Sequence, residues 1–371
     1  MSDQRTFDAL RRGLRAFVDG SARRSQRRDV ARHPASDGGD YAALKAAVKA
    51  RGLLTPQPAY YAAVSGLCAA LVVGSAAWAS ATRTTALVWL AAPVLAFASG
   101  QLTLLGHEAA HHAIVRGARG NDALARLFIN LLNGGNFRWW AGSHNEHHAR
   151  SNERDDDPDI DYPFFAFSDA HAAQKAPVFR PLLTRQHWLA LPLMGLVGVT
   201  LRVYSLAYYV RRGGSALDLA ATATFYVVYL ALTLGGLGLA RGAAFIALHQ
   251  CLFGMYLGTV TAINHWGMPM LPRGHGLGFL RQQVTTARNL RGGVFADLWF
   301  GGLNRQIEHH LFPTMPRSRL REAAPLVRDF CAARGIAYHE VTIAAGYREL
   351  FATLRRVATG ARAAAPHPTV R

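Results

Sequence analysis

Apolar residues gather in long unbroken stretches along this chain, where a soluble helix would space them every third or fourth position. Residues 60–81 and 84–105 are each close to the ~20 apolar residues a helix needs to cross the hydrocarbon core of a bilayer. A short polar break at Thr82, Arg83 and Thr84 parts them, which predicts a tight hairpin. Further apolar stretches follow at 188–210, 217–240 and 243–263.

The three later stretches decide the topology. If all of them crossed, the chain after residue 263 would lie on the opposite side of the membrane from the chain after residue 105. Stretch 188–210 contains Pro192 and Arg202 and ends in Arg211 and Arg212, charges disfavoured in lipid and on the outer face. It is therefore expected to lie at the interface. The pattern predicts an all-α integral membrane protein with four transmembrane helices (60–81, 84–105, 217–240, 243–263) and interfacial helices, over residues 41–350.

Residues 1–40 read as a basic tail. Phe7, Leu10, Leu14 and Phe17 stand at helical spacing within it, compatible with an amphipathic surface helix or with a disordered arm. No secretory signal precedes the first apolar stretch, so that helix is expected to act as its own insertion signal. Residues 351–371 read as a C-terminal tail, disordered after Val357.

Composition agrees with a membrane, since 50% of residues are hydrophobic and 17% charged. A formal net charge of +18 would raise nucleic acid binding in a soluble chain. Here the basic residues sit where apolar stretches end, as suits a cytoplasmic face against anionic lipid, and no nucleic acid partner is expected. Cys68, Cys251 and Cys331 are far apart, so they suggest neither a disulfide framework nor a cysteine zinc site and read as small buried apolar residues.

Histidine placement carries the chemistry. Of 16 histidines, eight fall in three short clusters just outside spanning stretches. The first is Gly106-His107-Glu108-Ala109-Ala110-His111-His112; on a helix His107 and His111 share a face, with His112 about 100° further round. The second is His144-Asn145-Glu146-His147-His148 and the third Gln306-Ile307-Glu308-His309-His310. Both place a polar residue before a histidine pair at i+3 and i+4. His265, in Asn264-His265-Trp266-Gly267, follows the last spanning stretch and reaches the same depth as the first cluster. Gln306 stands where the second cluster has His144, and it and Asn264 are candidates to hydrogen-bond a ligand.

Imidazole suits several transition metals, so ligand type alone does not choose among them. Ligand number helps: a zinc site seldom takes more than four protein ligands, whereas nine imidazoles can hold two metals. Two redox-active irons beside lipid suggest O2 chemistry on an unactivated methylene, which zinc has no redox capacity to do. The competing pattern is His107-Glu108-x-x-His111, a zinc-protease signature that would mean an intramembrane metalloprotease. That reading leaves the other clustered histidines without a purpose, and no later membrane-embedded Asp-Gly offers a third ligand. Glu108 also has a simpler role in bonding a histidine N–H.

The three clusters resemble the histidine boxes of the membrane fatty acid desaturases, over roughly residues 40–350. Asn145-x-His147-His148-Ala149-x-x-Asn152 leading to Asp157-Pro158-Asp159-Ile160, and Gln306-Ile307-Glu308-His309-His310-Leu311-Phe312-Pro313, look like the branch of front-end and linoleoyl-CoA-type enzymes. The resemblance implies four spanning helices, a cytosolic cap with a di-iron site and an acyl chain threaded along a bent tunnel. It implies as ligands His107, His111, His112, His144, His147, His148, His309 and His310, with His265 as a further one. The implied reaction uses O2 and two electrons to place a cis double bond in an acyl-CoA or acyl-lipid; a related di-iron hydroxylase is the alternative. Many relatives in that branch carry a fused cytochrome b5 with His-Pro-Gly-Gly; here His33-Pro34 is followed by Ala35-Ser36. A separate donor, a ferredoxin or cytochrome b5 with its reductase, is therefore expected, and the basic surface suits an acidic one. The expected location is multi-pass, with the site on the cytoplasmic side, in the cell (inner) membrane if the source is prokaryotic.

Two further expectations concern neighbours of the boxes. Asp155, Asp156, Asp157 and Asp159 either orient second-box imidazoles or form a solvated acidic loop with a turn at Pro158. His249 precedes His265 by sixteen positions, roughly 24 Å along a helix. It is expected to bond a neighbouring helix or to line the deep end of the acyl tunnel.

Overall fold

The computed structural model describes residues 38–363, with side chains to residue 361. The basic arm at residues 1–37, with the helical spacing at 7–17 and His33, and residues 364–371 lie outside the described residues. Four helices are long and apolar enough to cross a bilayer: Pro58–Ala81, Ala86–Ala110, Ala216–Gly235 and Leu239–His265. At 20 to 27 residues each and a rise of about 1.5 Å per residue, all can traverse a ~30 Å core. The protein is thus a multi-pass membrane protein.

Local chemistry sets the ends of these spans. Pro58 opens the first, where its missing N–H costs nothing. The Thr85 side chain accepts from Leu87 N at the start of the second, and Ser215 accepts from Asp218 N at the start of the third. About half of the second and fourth spans is buried in the protein (56% and 50%), against 17% for the first and third. The second and fourth therefore form the centre and the other two shield them from lipid. Close approach of the central pair depends on Gly100, where a Cβ would come within 2.2 Å of the Tyr256 ring.

Stretch 188–210 forms two helices, Gln186–Met194 and Val197–Arg212, bent by 64° at their junction. The bend seats against the fourth span at Gly254, where a Cβ would meet the Gly195 carbonyl at 2.6 Å. The outer side of the pair is apolar and uncovered, with Trp188 75% and Val210 87% exposed. Arg202 stacks over the rings of Phe225 and Phe253, its carbon 5.4 Å from each centroid, which offsets part of the cost of placing a cation here. Cys251 is exposed on the fourth span, unlike the buried Cys68 and Cys331; the apolar stretch did not tell inner from outer face.

The remainder forms a cap at the end of the bundle where the second and fourth spans finish. Its core joins Leu44 and Val48 of the helix Gly38–Ala50 to Leu280, Val284, Ile307, Leu311 and Val327. Strands Asn289–Arg291 and Glu340–Thr342 pair in parallel beside it. The tail expected from residue 351 is instead part of the helix Ile343–Ala363. Its Leu350, Leu354 and Val357 recur at four and three residues, and their burial against the cap holds the helix together.

Candidate metal centre

Each box is positioned by an element end. His107 lies in the last turn of the second span and His111 is its C-cap residue. The second box rides on the helix Phe137–Ala149, whose N-cap Asn136 accepts from Trp139 N. The third sits on the short helix Gln306–Leu311, and His265 is the last residue of the fourth span. The fully buried Arg288 donates to the carbonyls of Ile263 and Trp266, holding that span's end in place.

Eight imidazoles converge in two groups. His107, His111, His144, His148 and His309 form one and His147, His265 and His310 the other, with one donor atom per residue lying within 4.8 Å of the rest in each group. The groups abut where the rings of His148 and His310 stack at 4.2 Å. His112 does not join them. The helix ends before it, its φ is +59°, and its Nε2 lies 3.2 Å from Asp122 Oδ1 on the surface. The expected 100° step assumed a continuing helix, and this correction removes His112 from the set.

Hydrogen bonds to one ring nitrogen leave the other facing inward. His147 Nδ1 lies 2.9 Å from Asp157 Oδ1, His265 Nδ1 donates to the Thr286 carbonyl at 3.0 Å, and His310 Nδ1 lies 2.7 Å from Gln283 Oε1. His107 Nδ1 lies 3.2 Å from Glu108 Oε1, whose other oxygen accepts from Tyr61. Such contacts set tautomer and orientation. Gln306 Nε2 lies 2.9 Å from His265 Nε2, and Gln306 Oε1 accepts from Asn264 at 3.1 Å. Of the acidic loop, Asp157 is buried and also accepts from the backbone N–H of Asn152 and Asp159, whereas Asp156 pairs with Arg150 and Arg273.

Residue types alone did not point to Gln283, Thr286, Arg288 or Asn289. Asn289 donates to Glu308 Oε2 and accepts from Ile307 N, fixing the start of the third box. The one hint was the density of amides and hydroxyls across residues 282–289 in an otherwise apolar protein.

The electrostatics suit cations. Burial, reinforced by neighbouring imidazoles, holds His111, His144, His148, His309 and His310 well below the usual histidine range, so they are neutral at pH 7. Metal ligation requires that state. His147 differs: burial would lower it, but the Asp157 and Asp159 carboxylates lift it to about 9. Nε2 of His111 and of His309 is buried with no hydrogen-bond partner, a costly condition unless something else fills it. The donor set therefore fits metal ions.

His249 stays apart. It contacts Ser99 Oγ at 3.3 Å and the Tyr229 hydroxyl at 2.7 Å, bridging three spans. It also lines a cavity of about 350 Å³ with Val72, Leu95, Phe225 and Phe245.

Comparison of the sequence with known proteins points to one family. The family model for fatty acid desaturases aligns with residues 84–342. An acyl-lipid (9-3)-desaturase of Physcomitrium patens is 32% identical, covering 76% of this chain and 55% of its own. Fatty acid desaturase 3 of Bos taurus is 30% identical, covering 81% of this chain and 68% of its own. A Delta(8)-fatty-acid desaturase of Euglena gracilis is 29% identical, over 72% of this chain and 66% of its own. The chain thus spans between about half and two thirds of the length of these relatives. With three histidine boxes gathered under one cap and most of its length matched, the chain belongs to the fatty acid desaturase family.

Proposed function

We propose that this protein is a di-iron fatty acyl desaturase that introduces a cis double bond into the acyl chain of an acyl-CoA or acyl-lipid. The observation that carries the reading is the convergence of eight imidazoles in two abutting groups at the membrane end of the bundle. His107, His111, His144, His148 and His309 would hold one iron. His147, His265 and His310, with Gln306 beside them, would hold the second. Bound irons would supply the redox chemistry by which O2, two protons and two electrons from a separate donor take two hydrogens from adjacent carbons, with two waters formed.

The chain's own part is to hold and exclude. Asp157, Gln283 and the Thr286 carbonyl orient their imidazoles before any ion arrives, so little is lost to reorganisation. Buried Ile307, Leu311, Ile263 and Val260 keep bulk water from the site. The apolar cavity at the level of His249 offers room for part of an alkyl chain. The basic surface suits an acidic donor, a ferredoxin or cytochrome b5 served by a reductase, on the cytoplasmic side.

The protease pattern at His107 and His111 has less support, because six more imidazoles share their site. The test is expression in a host of known lipid composition, with double-bond location by mass spectrometry of its fatty acids. A new unsaturated species that disappears with His309→Ala is expected. An unchanged profile, with one zinc and no iron in the purified protein, would overturn the reading.

A further inference from the structure

Between the strand Asn289–Arg291 and the third-box helix the chain passes through a short helix, Val294–Trp299, entered by Gly292 and Gly293. Its tip is apolar and uncovered: Val294 is 75% and Phe295 74% exposed, and Trp299 is also exposed. Facing water, such a patch would be an aggregation liability. Its depth is therefore the question.

Polar side chains of the two central spans settle the depth. Gln101 Nε2 donates to the Leu298 carbonyl at 2.7 Å, and the Tyr256 hydroxyl donates to the Trp299 carbonyl. The Trp299 ring stacks on Phe97 at 5.8 Å and meets Tyr256 edge-on at 5.1 Å. Gln101 and Phe97 precede His107 by six and ten residues, placing them ~9 and ~15 Å nearer the middle of the second span. Tyr256 precedes His265 by nine, or ~14 Å. The short helix therefore descends below the histidine level, alongside the apolar length of the second span.

Backbone at that depth persists only where its polar groups are satisfied from within the protein. Gln101 and Tyr256 do this, which gives both polar residues a reason to be in the centre of an apolar bundle. Asp297 turns the other way, accepting from Asn304 Nδ2 and pairing with Arg321 of the cap. Apolar side chains thus face outward and the one charge faces the cap, as in an interfacial wedge.

We propose that residues 292–300 form a re-entrant wedge inserted among the lipid acyl chains of the leaflet nearest the histidines. The wedge leads directly into Gln306–Leu311, so the bilayer itself sets the height of the third box against the first. This inference does not depend on the reaction proposed above.

The test is depth measurement by spin labelling in phosphatidylcholine vesicles. Cys68, Cys251 and Cys331 are replaced by Ala, a background whose circular dichroism spectrum must equal that of the native protein. Labels go on Phe295→Cys, on Val294→Cys and, as a cap control, on Glu322→Cys, whose side chain is 55% exposed. At 294 and 295 dissolved O2 should relax the label several-fold more effectively than a water-soluble nickel chelate, with the reverse order at 322. Nickel access at both 294 and 295 equal to that at 322 would overturn the wedge and leave the patch facing water, open to a soluble protein partner.

Discussion

Asp157 holds His147 with both carboxylate oxygens, at 2.9 and 3.0 Å from Nδ1, while it also accepts from the backbone N–H of Asn152 and Asp159. Nε2 is then the ring nitrogen left to face His265 and His310. Asp157→Asn keeps the shape but loses the charge and one acceptor. Metal affinity should fall about 10- to 100-fold, as for other residues that orient a ligand. Iron retained against graded chelator, with an unchanged circular dichroism spectrum, measures it; retention equal to that of the native protein would mean that Asp157 serves only the loop.

His111 and His112 are adjacent in sequence and opposite in setting. His111→Ala should remove iron and activity together. His112→Ala should keep both, with stability within about 0.5 kcal/mol of native, as for most surface positions. Loss of iron in the second variant alone would place the wrong histidine in the site.

His249 and His265 sit on one helix at different depths. His265→Ala should lower iron content, whereas His249→Phe should spare it, since the ring nitrogens of His249 lie against Ser99, Tyr229 and Gln250, away from the boxes. If the cavity it lines takes the end of the substrate, the same variant should change the chain-length distribution of products. Elemental analysis and fatty acid profiling read the two effects separately.

Acid should destabilise the protein through His171, which is buried near the helix Ile343–Ala363 and accepts from Phe167 N. Burial, with Lys175 nearby, lowers it from 6.5 to about 3. The unfolded chain therefore binds the proton first, so stability is complete above pH 6.5 and is lost as pH falls towards 3. At pH 5 the loss is about 2 kcal/mol. His171→Gln keeps an acceptor and removes the titration, so its thermal midpoint should drop less between pH 7 and pH 5 than that of the native protein. Equal drops would assign the acid sensitivity elsewhere.

Hydropathy is a local property, and what depends on it was legible in the sequence. The four spans appear in the structure within a few residues of the apolar stretches, and the bent pair lies where Pro192 and Arg202 weakened a fifth. The boxes were legible because i, i+3 and i+4 spacing places side chains on one helical face whatever surrounds it. That argument stops where a helix stops: His111 is the C-cap of its span and His112 turns away in a left-handed conformation, which only the backbone decides. The division of the histidines into five and three depends on which helix ends meet across the cap. So do the bonds from Gln283 to His310 and from Arg288 to Ile263, which join residues more than twenty positions apart. The descent of Val294–Trp299 beside the second span was equally hidden, since its local sequence is that of any short amphipathic helix. Pattern along the chain determined which segments enter the bilayer and which residues carry the chemistry. Tertiary packing alone decided which of those residues meet, because such contacts are selected by the whole core and not by neighbours in sequence.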